Sequence, residues 1–158
     1  MAKFEMTVLV PENSQETARL GSGTRTAGTA LVDADKGKLL KLAGASRYDL
    51  CAAGDAIEAS LTAVETAPLD DYTIGTVQTA GRLKVTCDGL QATPGTGTVA
   101  VGDLVVASTP VAAGTALGTL VYPKVAQATS QTPGLFNWRV VHVSVDGSVG
   151  DTAIIERV

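Results

Sequence analysis

The residues that could take part in catalysis or metal binding are few in this sequence. His142 is the one histidine, and Cys51 and Cys87 are the two cysteines. One imidazole and two distant thiols cannot make a zinc site by local spacing, because such sites group their ligands a few residues apart. His142 alternates with Val140 in an apolar stretch, which is typical of a strand residue. No G-x-S-x-G segment is present to expose a nucleophilic serine. We therefore expect no catalytic residue, metal or cofactor.

Two acidic segments fail the patterns of known sites. Asp33 and Asp35 occupy the first and third positions of a possible calcium loop. Lys38 then stands where the turn glycine belongs, and Gly44 where the bidentate glutamate belongs. The dipeptide Asp70-Asp71 has neighbouring side chains that point to opposite faces of a strand, so they cannot act as a carboxylate pair.

The charge of the chain argues against nucleic acid as a partner. The net charge is -4 and the pI is about 4.9, whereas phosphate binding needs a basic stripe. The nearest lysine cluster, at residues 36–41, is interleaved with aspartates, and we predict a solvated loop and strand start there. No apolar run approaches the roughly 20 residues of a membrane span, and Glu5 interrupts the place of a signal peptide. The two cysteines are expected to be reduced and buried, as in a protein made in a cytoplasm.

Most of the chain around these residues has the sequence pattern of β-strands. Short apolar runs alternate with turn residues along most of the chain, which predicts an all-β fold, either a β-sandwich or a barrel of jelly-roll-like type. In residues 82–87 the apolar side chains fall on one face, and the pair Asp88-Gly89 follows as a tight turn. Val141, Val143 and Val145 are predicted to share a face of a later strand. The predicted strands are 4–10, 39–42, 48–52, 72–78, 82–87, 104–108, 121–127, 138–145 and 153–158.

Residues 55–65 fit two structures. Asp55 and Glu58 have the spacing of a capping box that would open a helix. The same residues alternate apolar and polar, and we favour a strand because the rest of the chain is strand-like.

The N-terminal part differs from the rest. Residues 11–30 are polar and rich in small side chains, which predicts an extended arm with little to bury. The chain is therefore divided into an N-terminal strand and polar arm over residues 1–30 and a β-rich domain over residues 31–158.

A small apolar residue followed by Gly-Asp and a second apolar run occurs three times. Asp55, Asp103 and Asp151 are spaced 48 residues apart. The surrounding residues match poorly, so we interpret the three sites as one recurring turn, in which glycine takes a positive φ and aspartate binds its own backbone.

A family resemblance adds a function to this fold. The run from Gly37 through Ser46-Arg47-Tyr48-Asp49, the following Ala-Gly-Asp55-Ala-Ile-Glu58, and Tyr72-Thr-Ile-Gly-Thr-Val-Gln78 resemble small capsid decoration (cement) proteins of tailed bacteriophages. The likeness covers residues 35–108. It implies a virion protein, made in the host cytoplasm, that binds the outer surface of the major capsid protein shell and clamps neighbouring subunits. Homo-oligomers are expected as well, because an Ala/Val core is thin.

Contacts with these partners are predicted in two places. Phe4, Met6, Arg19 and Arg25 belong to the N-terminal region, which is expected to bind the capsid or a neighbouring copy. Phe136 and Trp138 are predicted aromatic anchors of a second contact at residues 131–138. Two other functions stay open from the residues: a phage tail-tube or tail-tip β protein, and a glycan-binding β-sandwich. An enzyme is the least favoured interpretation.

Overall fold

A computed structural model of the chain describes residues 15–21, 31–43, 47–66, 73–132 and 134–158. These residues form eleven β-strands and a short 3-10 turn at Asp33–Asp35, with no α-helix among them. The expected all-β fold is confirmed. The predicted strand at residues 4–10 lies outside the described residues. No helix in the described ranges is long and apolar enough to cross a membrane.

Five strands close into a barrel. They are β1 (Gln15–Leu20), β2 (Leu39–Ala43), β3 (Arg47–Leu50), β4 (Ala59–Thr66) and β5 (Thr73–Gln78). Their order around the barrel is β1-β3-β2-β4-β5, and β5 pairs with β1 to complete the circuit. The β1–β3 pair is parallel and the others are antiparallel. The strand favoured for residues 55–65 is confirmed from Ala59 onward as β4 (Ala59–Thr66), whereas residues 55–58 precede the strand.

Strand β1 corrects the prediction of a polar arm over residues 11–30. Residues 15–20 pair along their whole length with β5. Ala18 and Leu20 pack into the barrel core, where Leu20 lies with Leu40, Leu61 and Val77. Two apolar side chains at an i, i+2 spacing suffice for a barrel strand, although the segment is otherwise polar. The remaining parts of the predicted arm, residues 11–14 and 22–30, lie outside the described residues.

The other six strands form an open sheet. They are β6 (Arg82–Leu90), β7 (Thr93–Pro94), β8 (Val105–Ala107), β9 (Lys124–Gln127), β10 (Trp138–Val143) and β11 (Thr152–Arg157). Their order is β10-β11-β6-β9-β8, with β7 paired to β6. Leu104 forms a bridge with Arg139, so the two outer strands of the sheet approach each other.

The barrel and the sheet share one apolar core. Trp138, Val85, Val125 and Ile155 of the sheet are fully buried. Side chains from the barrel side join the same cluster: Leu39, Cys51 and Ile57. We call the region where barrel and sheet meet the joint. At its edge the guanidinium of Arg157 donates to the Glu58 carboxylate at 3.2 Å and to the Thr79 carbonyl at 2.7 Å. The joint is therefore both packed and hydrogen-bonded.

Two β-bulges overturn details of the predicted alternation. In β10 the register shifts between Val140 and His142, so Val143 packs against the core with Trp138 and Val140. Val145 is exposed because β10 ends at Val143. The predicted common face of Val141, Val143 and Val145 is wrong for these two reasons. In β6 the pair Asp88-Gly89 continues the strand instead of ending it, because the register against β9 shifts between Cys87 and Leu90.

The three Gly-Asp sites share the expected turn with a positive φ at glycine, but the third differs in its side-chain contacts, because the Asp151 carboxylate accepts from the N–H groups of Asp146 and Gly147. Gly54, Gly102 and Gly150 have φ values of 86°, 100° and 95°, a region that side chains with a Cβ rarely adopt. The carboxylate of Asp55 accepts from the Ala52 N–H at 2.6 Å, and that of Asp103 from the Ala100 N–H at 2.8 Å.

Each of these turns also docks on a strand in the same way. The glycine N–H donates to a strand carbonyl, and the N–H of that strand residue donates back to the aspartate carbonyl. Gly54-Asp55 is joined in this way to Ala107, Gly102-Asp103 to Val140, and Gly150-Asp151 to Cys87, with N···O distances of 2.8–3.0 Å. The recurring dipeptide is thus a backbone clip that orders the ends of the sheet.

Candidate functional site

A long connection crosses the joint between barrel and sheet. Residues 108–123 join β8 to β9, and we call them the strap. A cavity of about 250 Å³ lies beneath the strap. Its floor includes Leu39, Leu50 and Cys51, and the strap contributes Val111 and Leu117. A second cavity of about 250 Å³ adjoins the first on the other side of Leu117. The strap therefore covers space rather than a filled core.

A buried ion pair holds the middle of the strap. The Lys38 ammonium lies 2.7 Å from the Asp35 carboxylate, and these residues are 4% and 0% exposed. Lys38 also donates to the carbonyl of Ala112 at 2.6 Å, and the N–H of Gly114 donates to Asp35 at 2.8 Å. The predicted solvated loop at residues 36–41 is thus wrong at Lys38, because the strap covers this side chain.

A second carboxylate ties the two ends of the strap together. Asp88 accepts from the hydroxyl groups of Ser108 at 2.5 Å and Thr109 at 3.2 Å. The ammonium of Lys124, directly after the strap, lies 3.1 Å from the other oxygen of Asp88. Asp88 is almost fully buried, and the bulge in β6 places it there. The tight turn expected at Asp88-Gly89 is therefore wrong. Asp88 is a residue of strand β6, and its carboxylate holds the two ends of the strap.

The electrostatics of both carboxylates fit a fastening role. Burial by itself would raise the pKa of Asp35, but hydrogen bonds from Lys38, Val32 and Gly114 outweigh it and lower that pKa. The pKa of Asp88 is lowered in the same way, as Ser108 and Lys124 outweigh burial. Each carboxylate is ionised near neutral pH and accepts the hydrogen bonds offered to it. In this arrangement the Ser108 hydroxyl donates a hydrogen bond to the Asp88 carboxylate. This carboxylate is weakly basic, so it does not activate the serine as a nucleophile.

The aromatic end of the strap is held more loosely. The Lys84 ammonium lies 4.6 Å from the ring centre of Tyr122, a cation–π distance. The N–H of Thr86 donates to the carbonyl of Pro123 at 2.9 Å. Both contacts attach residues 122–123 to β6.

The cysteines stand in different surroundings. Both cysteines belong to the core cluster between barrel and sheet, and Cys51 also lines the cavity under the strap. Both thiols are buried and free, as expected from the sequence. Burial raises the pKa of the Cys51 thiol to about 12, so this thiol is protonated and unreactive while the strap is closed.

The predicted contact residues that the structure describes differ in how far their side chains are buried. Trp138 is 0% exposed and belongs to the sheet core, so the prediction of an exposed aromatic anchor is corrected at this position. Phe136 is half-buried against a small cluster that includes Leu104 and Val106. Arg19 is half-buried on β1. Phe4, Met6 and Arg25 lie outside the described residues, and their contacts stay predictions.

Exposed aliphatic side chains are the surface features that the sequence analysis missed. Leu135 is 59% exposed beside Phe136, and Leu120 is 82% exposed on the strap. Leu120 is also the non-glycine residue with positive φ, at 61°, in the described part of the chain. Both leucines stand in connections between strands, where apolar and polar residues do not alternate, so the sequence carries no signal for their exposure.

Other kinds of site find little support in the described ranges. These ranges contain no group of three or more His, Cys, Asp or Glu side chains placed to hold a metal ion. Their aromatic side chains are buried or half-buried, so they offer no flat platform for a sugar ring. His142 is exposed on β10, an outer strand of the sheet.

Comparison with protein-family models, with curated protein sequences and with solved structures finds no match to this chain.

Proposed function

We propose that this chain is a structural protein that binds the outer surface of a tailed-phage capsid and stabilises contacts between major capsid protein subunits. The observation that carries the proposal is the place of the resembling residues in the fold. Residues 37–78 supply strands β2 to β5, and hence most of one closed barrel together with its clip at Gly54-Asp55. The likeness therefore includes four of the five barrel strands rather than scattered turns alone.

The polar clusters support a role in assembly. The ion pairs at Asp35 and Asp88 attach the strap to the rest of the protein. The Glu58–Arg157 ion pair connects the barrel to the sheet at the joint. A protein that clamps a shell needs a rigid body and contact area, and many copies on a lattice allow each single contact to be weak.

Two surfaces are proposed for the contact. The first is the N-terminal region with Phe4, Met6, Arg19 and Arg25, which binds the capsid or a neighbouring copy. The second is the loop at residues 131–137, where exposed Leu135 replaces buried Trp138 as the apolar anchor and Phe136 supports it. A few well-packed side chains near the centre of an interface commonly carry most of its binding energy.

Attachment to shells of the major capsid protein of the same virus tests the proposal. Full-length protein is mixed with undecorated shells, which are sedimented and imaged. Saturable density on the outer surface is expected. Absence of binding, or binding to tail structures instead, contradicts the proposal.

Three variants locate the contact. A deletion is confined to residues 1–14, because residues 15–20 form β1 and their removal would open the barrel. Leu135→Ser tests the loop, and Leu42→Ser is its matched control, since Leu42 is equally exposed but lies on the barrel strand β2. Weaker attachment of the deletion variant assigns the N-terminal surface. Weaker attachment of Leu135→Ser alone assigns the loop.

A further inference from the structure

We propose that the strap, residues 108–123, opens as a unit while the barrel and the sheet stay folded, and that its opening uncovers the apolar floor around Leu39, Leu50 and Cys51. The inference rests on the contacts of the strap and is independent of the proposed function.

The backbone of the strap is fastened at few points. Within residues 110–121, the backbone–backbone hydrogen bonds among described residues are internal, from Thr115 to Ala112 and from Val121 to Gly118. The middle of the strap is joined to the barrel through the two side chains of Asp35 and Lys38. Segments with few backbone bonds to their surroundings open at a lower free energy than the protein as a whole.

The strap also buries little apolar surface. Val111 and Leu117 are half-buried, but most of the other residues between 109 and 121 are exposed. Val111 borders the first cavity and Leu117 borders both cavities. Each of these side chains therefore faces a gap on one side, and contacts across a gap contribute little dispersion energy. Opening therefore gives up few favourable contacts.

Backbone strain adds a force toward opening. Leu120 is held at a φ of 61° with its side chain in solvent. A left-handed conformation is unfavourable for a residue with a Cβ, and the largely exposed side chain of Leu120 gains little packing in return. The closed strap is thus a strained segment that is fixed by two polar clasps, at Asp35 and at Asp88.

The two cysteines of the natural sequence provide the test. Cys51 lies under the strap and Cys87 lies inside the sheet core. Full-length protein is treated with N-ethylmaleimide under native conditions at constant pH, and the labelling of each cysteine is followed by mass spectrometry of peptides. Cys51 is expected to react at least about tenfold faster than Cys87, because it needs only local opening. Equal rates for the two thiols overturn the proposal.

Variants with opposite expected effects sharpen the test. Lys38→Met removes the central clasp and should speed the labelling of Cys51 about tenfold or more. Cys87 should also label faster in this variant, because the same change lowers the free energy of global unfolding. Leu120→Asn relieves the strain, since asparagine tolerates positive φ, and should slow the labelling of Cys51 about threefold. Thr119→Asn is the matched control and should change neither rate. The proposal is overturned if Lys38→Met leaves the labelling of Cys51 unchanged, or if Leu120→Asn has no effect on Cys51.

Discussion

The ammonium of Lys38 and the carboxylate of Asp35 lie 2.7 Å apart, three residues from each other in sequence, with almost no solvent contact for either side chain. Each group also bonds the backbone of the strap. A charge pair that is removed from water in this way is stable only while both members are present, because a single buried charge has lost its hydration without compensation.

Replacing one member of this pair should be strongly destabilising. Lys38→Met leaves the Asp35 carboxylate buried without its counter-ion and is expected to cost about 3–5 kcal/mol. The free energy of unfolding from urea titration measures this cost. Lys36→Met is the control, because the Lys36–Asp33 pair is largely exposed and should contribute at most about 1 kcal/mol. Similar costs for the two variants would show that the Asp35–Lys38 pair is not desolvated in solution.

Acid should weaken the protein through Asp35 and Asp88. The folded-state pKa of each is lowered from 3.8, so the unfolded chain binds these protons first as the pH falls. The stability that the two carboxylates contribute is fully present well above pH 3.8 and is lost as the pH falls below it, toward their lower folded values. Urea titrations at a series of pH values measure the slope. Asp88→Asn should reduce the slope in this range, and an unchanged slope would contradict the assignment.

The Gly-Asp clips should respond alike to alanine. At Gly102 and Gly150 an added Cβ meets no atom within 4 Å, so the cost of Gly→Ala comes from positive φ alone. Gly102→Ala and Gly150→Ala are each expected to lower the free energy of unfolding by about 1–2 kcal/mol. Thermal unfolding of the two variants checks this. Costs that differ by more than about 2 kcal/mol would mean that the two turns are not equivalent.

Gly75 should tolerate alanine less well, for a different reason. Gly75 lies in β5 at an ordinary negative or extended φ, but a Cβ there would clash with the carbonyl oxygen of Ala63 and with Leu20. The clash involves backbone of the neighbouring strand, so the barrel must shift. Gly75→Ala is expected to cost about 3 kcal/mol, the upper end for overpacked sites. A variant as stable as the parent would show that the barrel is wider than described.

His142 should be dispensable for folding and attachment. Its side chain is exposed on an outer strand, and exposed substitutions usually change stability by no more than about 0.5 kcal/mol. His142→Gln is expected to fold normally and to attach to shells as the parent protein does. Normal folding with lost attachment would assign His142 to the contact surface.

The sequence predicts the strands better than it predicts what lies between them. Alternation of apolar residues locates β2, β5, β6 and β11 closely, because one face of each strand is buried. It misses β1, since a strand with two inward-facing residues looks like a polar arm. It places the strand before Gln127 too early, at residue 121, although β9 begins at Lys124, because the apolar residues of the strap resemble a strand continuation.

The candidate site depends on contacts that sequence patterns do not contain. The partners of Asp35 include Gly114, 79 positions later, and Asp88 meets Ser108 across 20 positions. A lysine among aspartates looks solvated unless a distant segment covers it. Likewise, an inserted residue in β10 places Val143 on the core face with Trp138 and Val140, and Val145 is exposed because β10 ends at Val143.

The Gly-Asp clips have a consequence for how the protein behaves at high concentration. Two of them sit on the outer strands of the sheet, where they occupy the N–H and C=O groups of Ala107 in β8 and Val140 in β10. Unpaired groups on outer strands are templates for edge-to-edge aggregation. A chain at high concentration is at particular risk from such pairing. Here each turn occupies backbone groups of an outer strand, so those groups cannot pair with a strand of another molecule. Protection against edge-to-edge pairing is thus built into the backbone, and does not depend on surface charge alone.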